Sequence, residues 1–325
     1  MSGVIKGRSV SQGNHKPAKK AQARHMQSER WGWIQRVRNL VFPDGLGSLL
    51  RYLAFVLIII LAAISLFPLY FCLITSFSPR ADIATVPPAL VLKHFSLENF
   101  RDFLRGTGVS NAPVGRWFLN STIVTLADTL GCLTISSLAG YSFARKSFPG
   151  RRLVFTLVIS TMLLPGWSTI IASYALTFKM HLHDTMWVLI LPAMASPFAV
   201  FLMRQFMLTL PTELFQAAIV DGAGEVKLFT SIAVPLCKPV LAVLALFTIV
   251  GTWNDFLWPL LVLNKQQLYT LPVGVSMIMY QIQGHGPLYG ISMAASILMS
   301  IVPIIAFLLM QKQMVQGITI GALKG

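Results

Sequence analysis

Long stretches without a single charged side chain decide what this chain can fold into. There is none from Tyr52 to Pro79, from Leu153 to Phe178 or from Thr185 to Met203. Trp117–Ala144 holds only Asp128, and Pro239–Asn264 only Asp255. Gln266–Gln311 has no Lys, Arg, Asp or Glu, and its second half is strongly apolar. An α-helix needs about 20 apolar residues to cross a hydrocarbon core of about 30 Å. Six segments meet that length, with cores at about 52–76, 117–143, 153–178, 186–206, 239–263 and 288–311. Their apolar runs are continuous rather than alternating, which predicts helices and not barrel strands. Only 11% of the residues are charged, against roughly 25% in a soluble domain. Six buried helices in succession would leave a soluble fold almost nothing polar to face water. The sequence therefore predicts an all-α membrane protein with six transmembrane helices.

Lys and Arg set the expected orientation. With the N-terminus in the cytoplasm, the inner segments carry nineteen of them and the outer segments seven. Arg145, Lys146, Arg151 and Arg152 crowd the turn after the second helix. Both termini are expected inside. The net charge of +15 then needs no nucleic acid, because a basic cytoplasmic tail beside anionic lipid accounts for it. Residues 1–50 read as that tail, and residues 51–325 as the transmembrane domain. Within the tail, 30–38 is aromatic and basic, fitting either a short helix in the inner interface or a solvated linker. No cleavable signal is expected, since the first apolar run is too long for a signal core. Cys72, Cys132 and Cys237 lie in or beside predicted spans, so no disulfide framework is expected.

Several kinds of chemistry are missing from the sequence. No G-x-x-x-x-G-K-[ST] occurs, so this chain has no phosphate-binding loop for ATP. It also lacks H-E-x-x-H, C-x-x-C and G-x-S-x-G. The pair His181 and His183 sits on a short external turn and reads as two solvated histidines rather than a metal site. Neither a cofactor nor a metal is expected. In the first external loop, about 77–115, Leu97, Phe100 and Leu104 recur at helical spacing and predict a short amphipathic helix.

The cytoplasmic loop at about 207–238 is of a different kind. Pro211 suits the start of a helix over 212–220, where its missing N–H costs nothing. Asp221-Gly222 reads as a turn in which glycine takes positive φ. A second helix follows from about 224 to Val234, ended or kinked by Pro235. The small residues Ala217, Ala218 and Ala223 at the elbow would let another protein approach closely.

The run from Gln216-Ala217-Ala218 through Asp221-Gly222-Ala223, with Phe229, Ile232, Pro235 and Pro239 at fixed intervals, resembles the EAA signature of ABC importer permeases. The resemblance extends from about residue 50 to the end and is nearest to the carbohydrate-uptake, maltose-permease type. Its pieces include Asn120-Ser121, Pro165-Gly166, Trp253-Asn254-Asp255 and Tyr269-Thr270-Leu271-Pro272. It implies the type I ABC importer permease fold and a role as one half of the translocation pathway for a sugar-like solute. The implied partners are a second homologous permease, two cytoplasmic ATP-binding subunits and an extracytoplasmic solute-binding protein, all assembled at the inner membrane. Hydrolysis would belong to the ATP-binding subunits. Glu213, Gln216, Ala217, Ala218, Asp221, Gly222, Ala223, Phe229, Pro235 and Pro239 become candidates for coupling to the ATPase. The stretch 264–287 would reach towards the binding protein, and 312–325 towards the ATPase. One departure stands out: the family's first signature residue is usually Glu, and here it is Gln216.

Polar residues inside predicted spans are the candidates for the pathway itself. Asp128 lies near the middle of the second helix; Asn254 and Asp255, with Trp253 beside them, lie about two-thirds across the fifth. They either contact solute or fasten helices together. Pro165-Gly166 would loosen the third helix near its midpoint.

Overall fold

The computed structural model describes residues 46–83, 90–106, 112–282 and 289–322. The expected tail before residue 46, with its 30–38 segment, lies outside them, as do parts of the two long loops expected to be external. Contacts divide the chain into two units, residues 1–69 and 70–325. Helix α1 (Leu46–Phe77) begins in the first. Leu53, Phe55, Ile58, Ile60 and Ile64 are exposed along it, so it is apolar all round, as a span bathed in lipid is.

The second unit is built around α3 (Val114–Arg145), reached through the short α2 (Glu98–Leu104). Next come α4 (Arg151–Ser160), α5 (Gly166–Lys179), α6 (Trp187–Ala193), α7 (Pro197–Leu208), α8 (Thr212–Val220) and α9 (Glu225–Leu236). The series ends with α10 (Lys238–Trp253), α11 (Leu257–Val262), α12 (Leu271–Ile282) and α13 (Tyr289–Ala322). Among the described residues, α1, α3, α6 with α7, and α13 are each long and apolar enough to cross a membrane. Two further spans are bent pairs: α4 meets α5 at 106°, and α9 meets α10 at 75°. Counting each bent pair as one span, the described residues hold up to the six expected.

Helix α3 packs against α6, α7, α10 and α12, and α10 packs against α13. The α3–α7 crossing is close because Gly140 sits in it; a Cβ there would lie 2.7 Å from the Met203 Cβ and 3.0 Å from the Arg204 nitrogen. Small residues at such a crossing are how membrane helices gain contact without a hydrophobic drive. Trp117, Trp253, Phe103, Leu271 and Ile291 form one core at the start of α3. Met203, Met207, Phe215, Cys237 and Leu244 form another towards its end.

Several elements differ from expectation. The helix over 97–104 exists, but Leu97 and Leu104 are exposed and the buried positions are Asn99 and Phe103. The asparagine caps three carbonyls, those of Thr75, Ser76 and Ser78, a polar anchor that apolar spacing does not register. The third span is no mere kink: Leu164 turns extended before Pro165, and the chain restarts in a new direction, as the residue before proline is disposed to do. The fifth span does not run to 263. It stops at Trp253, and Pro259 sits in the first turn of the new helix α11, where its lack of an N–H is harmless. The stretch 264–287, read as a loop, contains α12. That helix has only 12 residues, too few to cross. Its Leu271, Val273 and Ile278 are buried.

Candidate functional site

Helices α8 and α9 form the elbow that the loop sequence predicts. Pro211 stands at the N-cap, and Asp221 ends α8. Gly222 has φ +78°, and its N–H donates to the Ile219 carbonyl at 3.0 Å. The Ala223 N–H donates to the Ala218 carbonyl at 2.9 Å. This closes the helix end with a left-handed residue, which glycine takes without Cβ strain. Nothing lies within 4 Å of where a Gly222 Cβ would stand, and the residue is exposed. The elbow's outer surface is apolar: Leu214, Ile219, Val220 and Val226 are exposed, Val220 at 87%. Glu213, Gln216, Ala217 and Asp221 are exposed among them, with Ala218 and Ala223 half-buried.

Apart from Phe229, the elbow's inner surface is fixed by residues that motif reading missed. Phe215 is buried, and the Arg145 guanidinium lies 4.4 Å from its ring centre. Arg145 also donates to the carbonyls of Met207 and Leu210, at 2.6 and 2.7 Å, a cation placed on the orphan acceptors of a helix end. Lys146 is ion-paired with Glu225, and the Tyr141 hydroxyl donates to that carboxylate at 3.3 Å. Phe229 packs edge-on against Tyr141, centroids 5.4 Å apart. The only prior cue was the crowd of cations at 145–152. Within α9, a wide π turn spans Leu228–Ala233 just ahead of Pro235. The 75° bend follows at Cys237, with Pro239 in the first turn of α10. Proline removes the N–H that would keep the ladder regular, so the turn widens and the direction changes.

A second site lies between α3, α5, α6, α7 and α10. It is a cleft of ≈ 560 Å³ lined by Asp128, Thr248, Gly251, Thr252 and Asp255, with Ser173 and Thr169 of α5 opposite. Phe198, Phe247 and Trp258 add aromatic surface. The Thr252 hydroxyl donates to Asp128 Oδ2. The structure thus brings Asp128 and Asp255 to one cleft and leaves Asn254 and Trp253 out of its lining. Asn254, at the end of α10, is exposed and donates to the Val250 carbonyl at 2.8 Å. Trp253 is 1% exposed, and its Nε1 donates to the Met299 carbonyl at 2.8 Å; it fastens α10 to α13. Apart from Gly166, the cleft residues from α5, α6 and α7 carry no motif, and only the fold gathers them.

Outside these sites, Asn120 donates to the carbonyls of Gln267 and Tyr269, and Trp117 Nε1 to that of Gln266 at 2.7 Å. The first turns of α3 therefore hold the segment that leads into α12. His183 faces Thr177 at 3.1 Å, between the rings of Tyr174 and Phe178. Among the described residues no three His, Cys, Asp or Glu side chains are grouped to hold a metal ion.

Comparison with known proteins gives a consistent set of relatives. The model of the family described as binding-protein-dependent transport system inner membrane component matches residues 133–320. The arabinooligosaccharides transport system permease protein AraQ of Bacillus subtilis is 34% identical over 267 residues, covering 82% of this chain and 92% of the relative. The sn-glycerol-3-phosphate transport system permease protein UgpE of Escherichia coli is 34% identical over 257 residues, 79% of this chain and 91% of the relative. A crystal structure of a bacterial ABC transporter involved in the import of the acidic polysaccharide alginate superposes with a TM-score of 0.73 at 18% identity, over 83% of this chain and 98% of that one.

Proposed function

The chain belongs to the family of binding-protein-dependent transport system inner membrane components, and we propose that it forms one of two permease subunits of an ATP-driven importer of a sugar-like solute. In this reading the second subunit is a homologous permease, two cytoplasmic ATP-binding subunits supply the energy, and a solute-binding protein delivers cargo from outside. Relatives named for arabinooligosaccharides and for sn-glycerol-3-phosphate support polyhydroxylated cargo. Both termini lie in the cytoplasm, as the Lys and Arg distribution favours, and residues 1–50 form a basic tail beside the inner leaflet.

The observation that carries this reading is the elbow. A compact turn of two helices exposes Leu214, Ile219, Val220 and Val226 around Gly222, on a segment flanked by cations. Contiguous exposed apolar surface marks a protein contact. Glu213, Gln216, Ala217, Ala218, Asp221 and Ala223 rim the contact with the ATP-binding subunit, and Phe229, Pro235 and Pro239 pass its motion to α10. Asp128 and Asp255 face the solute; Trp253 fastens α10 to α13, while Asn254 bonds back to its own helix.

The test is reconstitution. The chain, co-purified with the products of neighbouring permease, ATPase and binding-protein genes, should give liposomes whose ATP hydrolysis rises with solute-loaded binding protein. Hydrolysis indifferent to that protein would defeat the reading. Single cysteines at Ala81 and Lys265 should react with an impermeant thiol reagent in intact cells, while cysteines at Ser147 and Gly224 should not; the reverse pattern overturns the orientation.

A further inference from the structure

Resting on the import reading above, the elbow has two links to the cleft, and they differ in stiffness. The covalent one runs through α9 into α10. It crosses the π turn at Leu228–Ala233, then Pro235 and the 75° bend at Cys237. Widened turns and prolines are where helices bend, so this link yields under load. The other runs through α3, an unbroken helix from Val114 to Arg145 whose Val124, Asp128 and Cys132 line the cleft. At about 1.5 Å per residue, Asp128 lies about 25 Å back along it from Arg145.

Arg145 joins α3 to the first arm of the elbow. Its Nη2 donates to the Met207 and Leu210 carbonyls, at 2.6 and 2.7 Å, across the junction of α7 and α8. Its guanidinium lies 4.4 Å from the centre of the buried Phe215 ring on α8. A planar guanidinium donates in its plane while its face rests on a ring; an ammonium has no such plane. The same turn of α3 meets the second arm: Tyr141 donates to Glu225 and packs on Phe229, both of α9. One turn of α3 therefore grips both arms.

We propose that Arg145 is the positioning residue that makes α3 the stiff arm of coupling, carrying movement of the elbow to the cleft beside the yielding link to α10. Coupling between two sites is reciprocal, so a signal from the binding protein returns to the ATP-binding subunit along the same helix.

The test uses the complete reconstituted transporter. Arg145→Gln should co-purify the ATP-binding subunit in wild-type amount and keep basal hydrolysis, because the proposed contact is the elbow's outer surface. Stimulation of hydrolysis by solute-loaded binding protein should fall about tenfold or more, the order carried by loss of a hydrogen bond to a charged group. Arg145→Lys keeps the charge, but its ammonium ends one bond short of Nη2, and it should recover at most part of the stimulation. A merely structural residue would lower the amount of complex and leave the stimulation of what remains. Full stimulation in either assembled variant overturns the proposal. Loss of the complex from both overturns it too, because Arg145 then serves assembly alone. In each of these outcomes wild-type stimulation keeps the import reading standing. Wild-type hydrolysis that ignores the binding protein removes both readings together.

Discussion

The ammonium group of Lys146, one residue past the end of α3, is ion-paired with the carboxylate of Glu225, the residue that opens α9. Tyr141, one turn back on α3, adds its hydroxyl to the same carboxylate. A membrane helix that lines the cleft is thereby tied to the proposed docking elbow. Glu225→Lys alone should lower transport more than assembly, and Lys146→Glu with Glu225→Lys should restore it. Transport per ATP hydrolysed, measured for both single variants and the exchange, checks this. Failure of the exchange to rescue would mean the pair carries no coupling. High salt should mimic the single variants in part, because the pair is solvent-accessible.

Gly222 separates backbone strain from crowding. Its φ of +78° penalises any Cβ by about 1 kcal/mol or more, while open space surrounds it. Gly222→Asn should be tolerated, because Asn enters the left-handed region. Gly222→Val should abolish transport and release the ATP-binding subunit, with the membrane helices still inserted. Pull-down of the ATPase with each variant reads the difference; equal loss from both would point to steric contact instead.

Gln216 is exposed on α8, where the family resemblance leads one to expect Glu. Hydrogen bonds to charged groups contribute about 1.5–3 kcal/mol, against about 0.5–1.5 for neutral ones. Gln216→Glu should therefore tighten the ATPase contact by roughly 1 kcal/mol and keep transport. Dissociation by rising salt or detergent measures it. Weaker association would show that the facing cleft of the ATPase lacks a basic residue.

Asp184, at positive φ on the turn before α6, accepts the backbone N–H groups of Asn264 and Lys265. The Asn264 N–H above all holds its carboxyl below the usual carboxylate range. A lowered folded-state pKa makes the contribution complete above the unfolded value of about 3.9 and lost as pH falls through the folded one. Exchange protection of the Asn264 and Lys265 amides should hold at neutral pH and fail in acid. Asp184→Asn should weaken it at every pH; unchanged protection in that variant would remove Asp184 as the anchor.

The chain's membrane character and its elbow were legible because each rests on local chemistry. Charge-free length marks a span, and Pro211, Gly222 and Pro235 punctuate the loop with dihedral constraints that need no distant partner. What stayed hidden depends on residues meeting across the fold. Spacing alone could not show that Asn99 caps carbonyls near Ser76, or that Arg145 reaches Leu210. Nor could it separate Asp255, which faces the cleft, from its neighbours Asn254 and Trp253, which do not. The apolar run at 239–263 concealed a break, because hydropathy is blind to direction and Pro259 can open a helix as easily as interrupt one.

The break at Leu164–Pro165 bears on how such a subunit is made. Backbone that leaves the helix within hydrocarbon must be covered by protein or reached by water. Around this break Leu163, Trp167 and Ile171 are each more than 70% exposed, so the surface there is fit for lipid or for another chain while the main chain beneath it is not regular. If the proposed companion permease packs here, a copy made without it would keep this opened span uncovered. On that pairing, balanced synthesis of the two permeases would matter to the survival of each, because an orphan subunit would offer an opened segment to membrane proteases.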